Sequence, residues 1–363
     1  MSVHILSQAK LNTFSEYENH EEVRYIFDQK SGLKCFIAID NTNLGPAVGG
    51  TRMFLYKSEE EALKDVLRLS HAMTYKCAIS RVPFGGGKGV IIGNPNSSNK
   101  KVILDQYARE VEKLKGKFFT GEDVGISEED VQNMLKIAPC FIGKSDKAGD
   151  PSPYAALSAF HSMQVMVKHV LDKSKLDGIS IAVKGIGKVG GVLVKMLVEQ
   201  GAKVTIADID QKRVSEFKNL YKSISVVSPT VIHTLNVDVY SPNAMGREFD
   251  DESVREIKAK IICGAANNQL AENHVGDLFF TRGIIYGPDY VVNAGGLIDV
   301  VDELESGGYQ KKRVIQRIER VKDTLADILE VSKRENIPTH RIANGFAESI
   351  FNTSSISKSF VLA

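Results

Sequence analysis

Three stretches in the first half of the sequence set lysines and an aspartate among glycines: Met73-Thr-Tyr-Lys76, Pro83-Phe-Gly-Gly-Gly-Lys88-Gly89 and Thr120-Gly-Glu-Asp123-Val-Gly125. A glycine-rich segment ending in lysine invites a phosphate-loop reading. The spacing excludes it, because position 82 is valine where the first glycine belongs and Gly89 stands where a serine or threonine would hold magnesium. Three glycines before Lys88 instead suit a lysine brought close to a substrate by bare backbone. A lysine buried beside other positive charge and apolar surface gives up its proton more readily and serves as a base near neutral pH. A second lysine that stays charged binds a carboxylate, and an aspartate carries protons. By residue type alone, lysines at 76 and 88 are more often solvated surface residues, so this set needs support from elsewhere in the chain.

The second chemical signal is Gly185-Ile186-Gly187-Lys188-Val189-Gly190. Alone, the pattern is weak. Here it follows the strand-like run Ile179–Val183, opens a helical run over Val192–Gln200, and precedes a second strand ending at Asp208, 18 residues past the third glycine. Each part has a physical role in dinucleotide binding. Gly185 permits the tight turn, Gly187 lets backbone approach a pyrophosphate, and Gly190 allows close helix–strand packing. The helix N-terminus offers free N–H groups to phosphate oxygens. Asp208 accepts hydrogen bonds from ribose hydroxyls and repels a 2′-phosphate, which favours NAD over NADP. Lys212 and Arg213 nearby oppose that preference.

These groups need elements to hold them. Leu33–Ile39 reads as a buried strand. Ser58–Met73 reads as a helix, with Ser58 and Glu61 as a capping box and Leu63, Val66, Leu67 and Met73 on one face. Val90–Ile92 is a short strand candidate after the glycine cluster, and Ser127 with Asp130 caps a helix through about Lys136. The cluster Ala148-Gly-Asp-Pro-Ser-Pro153 marks a hinge or boundary. Beyond it, Ile179–Val183, Lys203–Ile206, Val237–Tyr240, Lys260–Ile262, Gly283–Tyr286 and Tyr290–Val292 are short, apolar and mostly β-branched, with helical stretches between several of them. That texture predicts a parallel sheet in an α/β domain. A long helix is expected over Lys311–Arg334.

The chain's 363 residues exceed what one core usually organises, so two domains are expected. With 46 basic and 45 acidic residues, the charge balance gives no footprint for nucleic acid or an anionic membrane. No stretch of about 20 apolar residues occurs, so no membrane span is expected. Cys35, Cys77, Cys140 and Cys263 lie far apart with no metal-type spacing. They read as buried reduced thiols of a cytoplasmic protein that holds no metal.

Taken together and in order, the motifs resemble those of the glutamate/leucine/phenylalanine/valine dehydrogenase family, nearest its leucine dehydrogenase branch. The matching stretches span nearly the whole chain: Leu44-Gly-Pro-Ala-Val-Gly-Gly-Thr-Arg-Met53, Met73–Lys76, Gly85–Lys88, Gly121–Gly125, Asp150–Pro153, the dinucleotide fingerprint and Gly287–Gly296. The resemblance implies a two-domain α/β fold with a cleft between the domains. Residues 1–147 would form an α/β substrate-binding and oligomerisation domain, with the tail 335–363 packed back on it. Residues 148–334 would form a Rossmann-type NAD-binding domain.

Carried over residue by residue, the resemblance implies that Lys76 pairs with the substrate α-carboxylate. Lys88 activates water against the imine carbon, and Asp123 shuttles protons to and from the amino group. Asn293 helps place substrate and nicotinamide, with Ala265 also on the cofactor. The implied reaction is hydride transfer from Cα to NAD⁺, water attack on the iminium, and collapse to a 2-oxo acid and ammonia. Glutamate-specific relatives carry a lysine directly before the Gly49-Gly50 pair; here it is Val48, which argues against a side-chain carboxylate. Val48 and Met73 are expected to line an apolar pocket, with Gly121 leaving room beside them.

Leucine, valine or isoleucine is the expected substrate, and phenylalanine or another aromatic amino acid the alternative. A non-catalytic NAD-binding sensor is the rival of another class. A homo-oligomer, with the first domain at its interface, is expected. The chain departs from the leucine branch at Ala155, which lacks a hydroxyl where threonine is usual, and at Phe84, Gly89 and Asp299.

Overall fold

A computed structural model describes residues 1–143, 147–244 and 246–361. The chain forms two compact units: Met1–Asp150 with Val300–Gln310 and Ala347–Ala363, and Pro151–Asp299 with Lys311–Phe346. Of the tail, residues 335–346 therefore group with the second unit.

The first unit is built on a mixed sheet of β1 (Ser2–Ile5), β2 (Glu22–Asp28), β3 (Leu33–Asn41), β4 (Ala47–Val48), β5 (Thr51–Phe54), β6 (Gly85–Ile92) and β7 (Phe118–Phe119). The order is β1-β2-β3-β6-β4-β7, with β5 also on β6. Strands β1, β2, β3 and β6 are antiparallel neighbours, whereas β4 and β5 join β6 in parallel. Its helices are α1 (Gln8–Leu11), α2 (Glu59–Ile79), α3 (Lys100–Glu112) and α4 (Glu128–Leu135).

Both faces of this sheet are covered, which explains the unbroken apolar run in β3. Phe36 and Ala38 pack with Val90 against Ala62, Leu63, Val66 and Leu67 of α2. Cys35, Ile37 and Ile39 pack with Ile91 against Ile103, Leu104, Tyr107 and Val111 of α3 and Val131 and Met134 of α4.

Local signals fix the helix starts. Ser58 caps α2 by accepting from Glu61 N–H at 3.1 Å. The Glu61 carboxylate reaches back one residue further than a capping box requires, to Lys57 N–H at 2.7 Å. The helix runs to Ile79, past the expected end at Met73, so Lys76 lies in its last turn, where a cation suits the helix dipole. Ser127 and Asp130 form a full capping box on α4.

The second unit holds a parallel sheet of β8 (Ser180–Lys184), β9 (Lys203–Ala207), β10 (Ser225–Val226), β11 (Val239–Pro242), β12 (Ile261–Ile262) and β13 (Ile285–Tyr286). Its order is β10-β9-β8-β11-β12-β13, all neighbours parallel. The chain winds one way from β8 to β10 and the other way from β11 to β13. This is the doubly wound Rossmann order, with its switch point between β8 and β11. The accompanying helices are α5 (Ser152–Leu171), α6 (Lys188–Glu199), α7 (Gln211–Leu220), α8 (Asp251–Glu256), α9 (His274–Thr281), α10 (Asp289–Val292), α11 (Gly295–Val301), α12 (Lys311–Glu335) and α13 (Thr339–Val361). The last of these belongs to the first unit from Ala347 onward, where Glu348 and Phe351 meet Tyr75 of α2 by a 2.7 Å hydrogen bond and a 5.6 Å ring contact.

Two expectations are corrected. Tyr290–Val292, expected as a strand, is the turn of α10. Pro288 enters it at φ −56° and Asn293 N–H closes on the Asp289 carbonyl at 2.9 Å. Val291 and Val292 are buried there, and burial, not β-branching, sets the conformation. The strand expected over Val90–Ile92 begins earlier, at Gly85, so the glycine cluster at 85–87 lies inside β6. No helix among the described residues is long and apolar enough to cross a membrane.

Candidate active site

Strand β6 owes its glycines to what packs over it. A Cβ on Gly86 would meet the Thr74 N and Oγ1 of α2 at 2.2 Å. On the other face, a Cβ on Gly87 would strike the Phe118 ring at 2.9 Å and one on Gly89 the Tyr107 hydroxyl at 2.0 Å. Helix, ring and phenol thus sit directly on strand backbone. Gly89, a departure from the leucine branch, makes room for a buried hydroxyl cluster. In it Thr51 Oγ1 lies 2.8 Å from Tyr107 Oη and 2.7 Å from Thr120 Oγ1.

Alternation along β6 puts Lys88 on the α2 face with Gly86 and Val90. Lys88 is 5% exposed and donates from Nζ to Oδ2 of Asp123. The other carboxylate oxygen, Oδ1, accepts from the Val124 N–H and from Nε of Arg52 at 3.4 Å. Burial alone would raise the Asp123 carboxyl. The charges of Lys88 and Arg52, with hydrogen bonds from Lys88 and Val124, outweigh it and hold the group at about 2.

Of the residues expected on the substrate, Gly50 lies against Asp123, and Val48 and Gly49 adjoin β6. Val48 is fully buried on β4, paired with Gly86 in β6 and Phe119 in β7. Met73 Cγ lies 3.3 Å from where a Gly49 Cβ would sit, and the Gly87 carbonyl lies at 1.9 Å, so only glycine fits position 49. A Cβ on Gly50 would meet the Glu122 carbonyl at 2.7 Å and the Asp123 carboxylate at 3.3 Å. Lys76 follows Met73 by one helical turn and is half-buried. Gly121 faces the Ile142 carbonyl, 2.8 Å from a Cβ there. Its lack of a side chain serves backbone packing.

The dinucleotide motif lies at the switch point of the second sheet. Gly185 has φ +88°, and a Cβ on it would strike Asn243 and Ala244, just after β11, at 2.8–2.9 Å. Gly190, in the first turn of α6, would place a Cβ 2.0 Å from the Gly185 carbonyl. At Gly187, which caps α6, a Cβ meets nothing within 4 Å. Its backbone therefore borders open space at a helix N-terminus, where an anion is favoured. Ile186 is buried, Val189 half-buried and Lys188 exposed. Asp208 follows β9 and accepts the Ile186 N–H on Oδ2 at 2.8 Å.

Past the end of β12, Asn293 donates from Nδ2 to the carbonyl of Ala265 at 3.2 Å and to Oδ1 of Asn267 at 2.8 Å. Ala265 N–H in turn bonds Oδ1 of Asn243 at 2.9 Å. Asn293 is 3% exposed, and among the described residues its own Oδ1 has no partner. A buried acceptor without a donor is costly. Together with the bare N-terminus at Gly187, it fits a nucleotide carrying a carboxamide donor. Asn293, Ala265, Gly185–Gly190 and Asp208 are the residues that would hold such a group. Among the described residues no cluster of His, Cys, Asp and Glu could hold a metal ion.

Sequence reading missed Arg52 and Asp65. Arg52 sits on β5, and its Nη1 donates to Asp65 Oδ2 on α2 at 2.9 Å. Asp65 also accepts from Tyr56 Oη at 2.7 Å and Arg68 Nη2 at 2.8 Å. The available signal was an arginine inside an apolar strand and an aspartate beside the apolar face of α2.

Residues 18–138 match the family profile described as Glu/Leu/Phe/Val dehydrogenase, dimerisation domain, and residues 205–349 match that of Glutamate/Leucine/Phenylalanine/Valine dehydrogenase. The chain is 40% identical to leucine dehydrogenase of Bacillus cereus over 342 residues, 92% of each chain. It is 42% identical to phenylalanine dehydrogenase of Thermoactinomyces intermedius, over 90% of this chain and 89% of that one. The crystal structure of L-tryptophan dehydrogenase from Nostoc punctiforme superposes with a TM-score of 0.80 at 38% identity, covering 92% of this chain and 96% of that one. The two profiles, these full-length relatives and the Rossmann sheet agree: this chain belongs to the Glu/Leu/Phe/Val dehydrogenase family, NAD(P)-dependent oxidoreductases that act on the CH–NH2 group of amino acids.

Proposed function

We propose that the chain oxidatively deaminates an apolar L-amino acid, leucine, valine or isoleucine, to its 2-oxo acid and ammonia with NAD⁺. The observation that carries this reading is the buried Lys88–Asp123 pair beside bare backbone at Gly49 and Gly50. NAD⁺, when bound, supplies the two-electron acceptor that converts the α-amine to an iminium. Lys76 holds the α-carboxylate by charge. Lys88 activates the water that adds to the imine carbon and stabilises the negative charge developing on oxygen. Asp123 receives and returns the protons of the amino group, and water supplies the oxygen of the product.

The apolar preference rests on Val48 and Met73. A side-chain carboxylate delivered to a fully buried valine would be desolvated without a partner, at a cost of several kcal/mol. The preference for NAD rests on Asp208, whose carboxylate faces the glycine turn and would repel a 2′-phosphate. Homo-oligomers built through the first unit are supported by the dimerisation-domain description of the matched profile. The buried free thiols of Cys35, Cys77, Cys140 and Cys263 support a cytoplasmic location.

A second reading, an aromatic amino acid as substrate, is favoured by the 42% identity to a phenylalanine dehydrogenase. One methylene in an apolar pocket is worth only about 1–3 kcal/mol, so small pocket changes exchange these preferences. Initial rates with a panel of L-amino acids and both nucleotides at alkaline pH test the proposal. Branched-chain amino acids with NAD⁺ should be fastest. Fastest turnover of phenylalanine or tryptophan would install the second reading. NADH binding with no turnover of any amino acid would instead leave a nucleotide sensor.

A further inference from the structure

Lys88 and Asp123 do not stand alone on the α2 face of the sheet. Arg52 lies on the same face from the neighbouring strand β5, and its guanidinium is tied at both ends. Nε reaches Oδ1 of Asp123 at 3.4 Å, and Nη1 donates to Oδ2 of Asp65 at 2.9 Å. Asp65 is itself fixed by Tyr56 and Arg68. Its carboxyl is raised by burial, and the Arg52 charge with the Tyr56 and Arg68 hydrogen bonds more than reverses that. The line of groups therefore runs Lys88, Asp123, Arg52, Asp65, alternating in sign from β6 through the loop after β7 to β5 and α2.

The arrangement divides the two oxygens of Asp123. Oδ1 is committed to Arg52 and the Val124 N–H, while Oδ2 alone meets Lys88. The Gly50 backbone closes the remaining side, since a Cβ there would lie 3.0 Å from Asp123 Cβ. A carboxylate free to rotate would present either oxygen in several directions. This one presents one oxygen in one direction.

We propose that Arg52, braced by Asp65, is a positioning residue of the deamination reaction, holding Asp123 so that only Oδ2 exchanges protons with the substrate and Lys88. The inference rests on the deaminase reading and deepens it. Arg52 touches neither substrate nor nucleotide in this scheme, so its removal acts on the chemical step and not on binding.

The test uses the full-length protein with Arg52→Ala, Arg52→Lys and Asp65→Asn. For each, kcat and KM are measured with the best amino acid and NAD⁺, and NADH affinity by fluorescence. Arg52→Ala should lose on the order of 10²-fold in kcat while KM stays within about threefold. NADH affinity should be unchanged. Arg52 is 23% exposed at its side chain, so a small cation can reach the space it leaves. Guanidinium at non-denaturing concentration should restore kcat of Arg52→Ala about tenfold or more, and Arg52→Lys should keep more activity than Arg52→Ala. A merely structural arginine gives no such rescue.

Asp65→Asn keeps Arg52 but loosens it, and should lower kcat about tenfold in the same pattern; it decides the matter if Arg52→Ala does not fold. An active wild type with kcat in Arg52→Ala, or failing that in Asp65→Asn, within twofold of it overturns this inference alone. So does a loss carried by KM, or an Arg52→Ala variant that guanidinium leaves unrescued. A wild type without turnover overturns the deaminase reading and this inference with it.

Discussion

Asp208 Oδ2 accepts the backbone N–H of Ile186 at 2.8 Å. The carboxylate that the spacing reserves for ribose therefore also clamps the glycine turn that faces phosphate, across from β9 to the loop after β8. Asp208→Ala should consequently weaken both functions at once. A lost hydrogen bond to a charged group costs about 1.5–3 kcal/mol, so NADH affinity should fall about 10- to 100-fold. The discrimination against NADP⁺ should shrink in parallel. Fluorescence titration with both reduced nucleotides measures this, and unchanged NADH affinity would separate Asp208 from the nucleotide.

Lys88→Ala should leave NADH binding intact, because Lys88 belongs to the first unit and the glycine motif to the second. Turnover should fall by at least the 10²–10⁴-fold expected for losing a positioned acid–base group. The pair of measurements is steady-state rate and NADH titration on one preparation. Normal turnover in this variant would remove Lys88 from its role.

Gly50→Ala should inactivate without altering pocket polarity. The added methyl lies 2.7 Å from the Glu122 carbonyl and 3.0 Å from Asp123 Cβ, so the Asp123 segment must move. Misplacing a reacting group by about 1 Å costs on the order of 10²-fold. Loss of kcat greater than tenfold, at a melting temperature still above assay conditions, is the expected result. A fully active Gly50→Ala would show that the segment bearing Asp123 gives way without harm.

Acid should cost the first unit stability through Asp123. Its folded-state carboxyl sits at about 2, below the ordinary 3.8, so the ionised form favours the folded chain. That contribution, about 2 kcal/mol, is complete above about pH 5 and disappears as pH falls through about 2. Urea unfolding between pH 5 and pH 2 should therefore be less pH-dependent in Asp123→Asn than in wild type. Parallel curves would mean that Asp123 titrates alike folded and unfolded.

Much of this was legible in the sequence because the signals are local. Ser58 and Ser127 announce helix starts by bonds made within four residues, and the glycine motif is one turn between a strand and a helix. The apolar run of β3 marked a buried strand of the first sheet, and the alternation of strands and helices after residue 150 sufficed for the Rossmann sheet. What stayed hidden depends on partners distant in the chain. The glycines before Lys88 look like a loop until Thr74, Phe118 and Tyr107 are seen to occupy the space above them. Strands of two residues, such as β4 and β7, carry no periodicity to detect. Arg52 and Asp65 are ordinary surface charges by type, and their pairing follows only from β5 and α2 meeting on one face. Tyr290–Val292 misled because three apolar residues fit a buried helix turn as well as a strand.

The crowded backbone of β6 restricts where new substrate preferences can arise. Positions 86, 87 and 89 have no spare volume on either side, so any side chain added there displaces a helix, a ring or a phenol before it meets an amino acid. On the proposed function, variation that retunes the pocket enters through neighbours that already carry side chains, with Val48 and Met73 the proposed first choices, while the strand bearing Lys88 acts as a fixed datum. Libraries aimed at altered selectivity should leave residues 85–89 untouched and diversify around them.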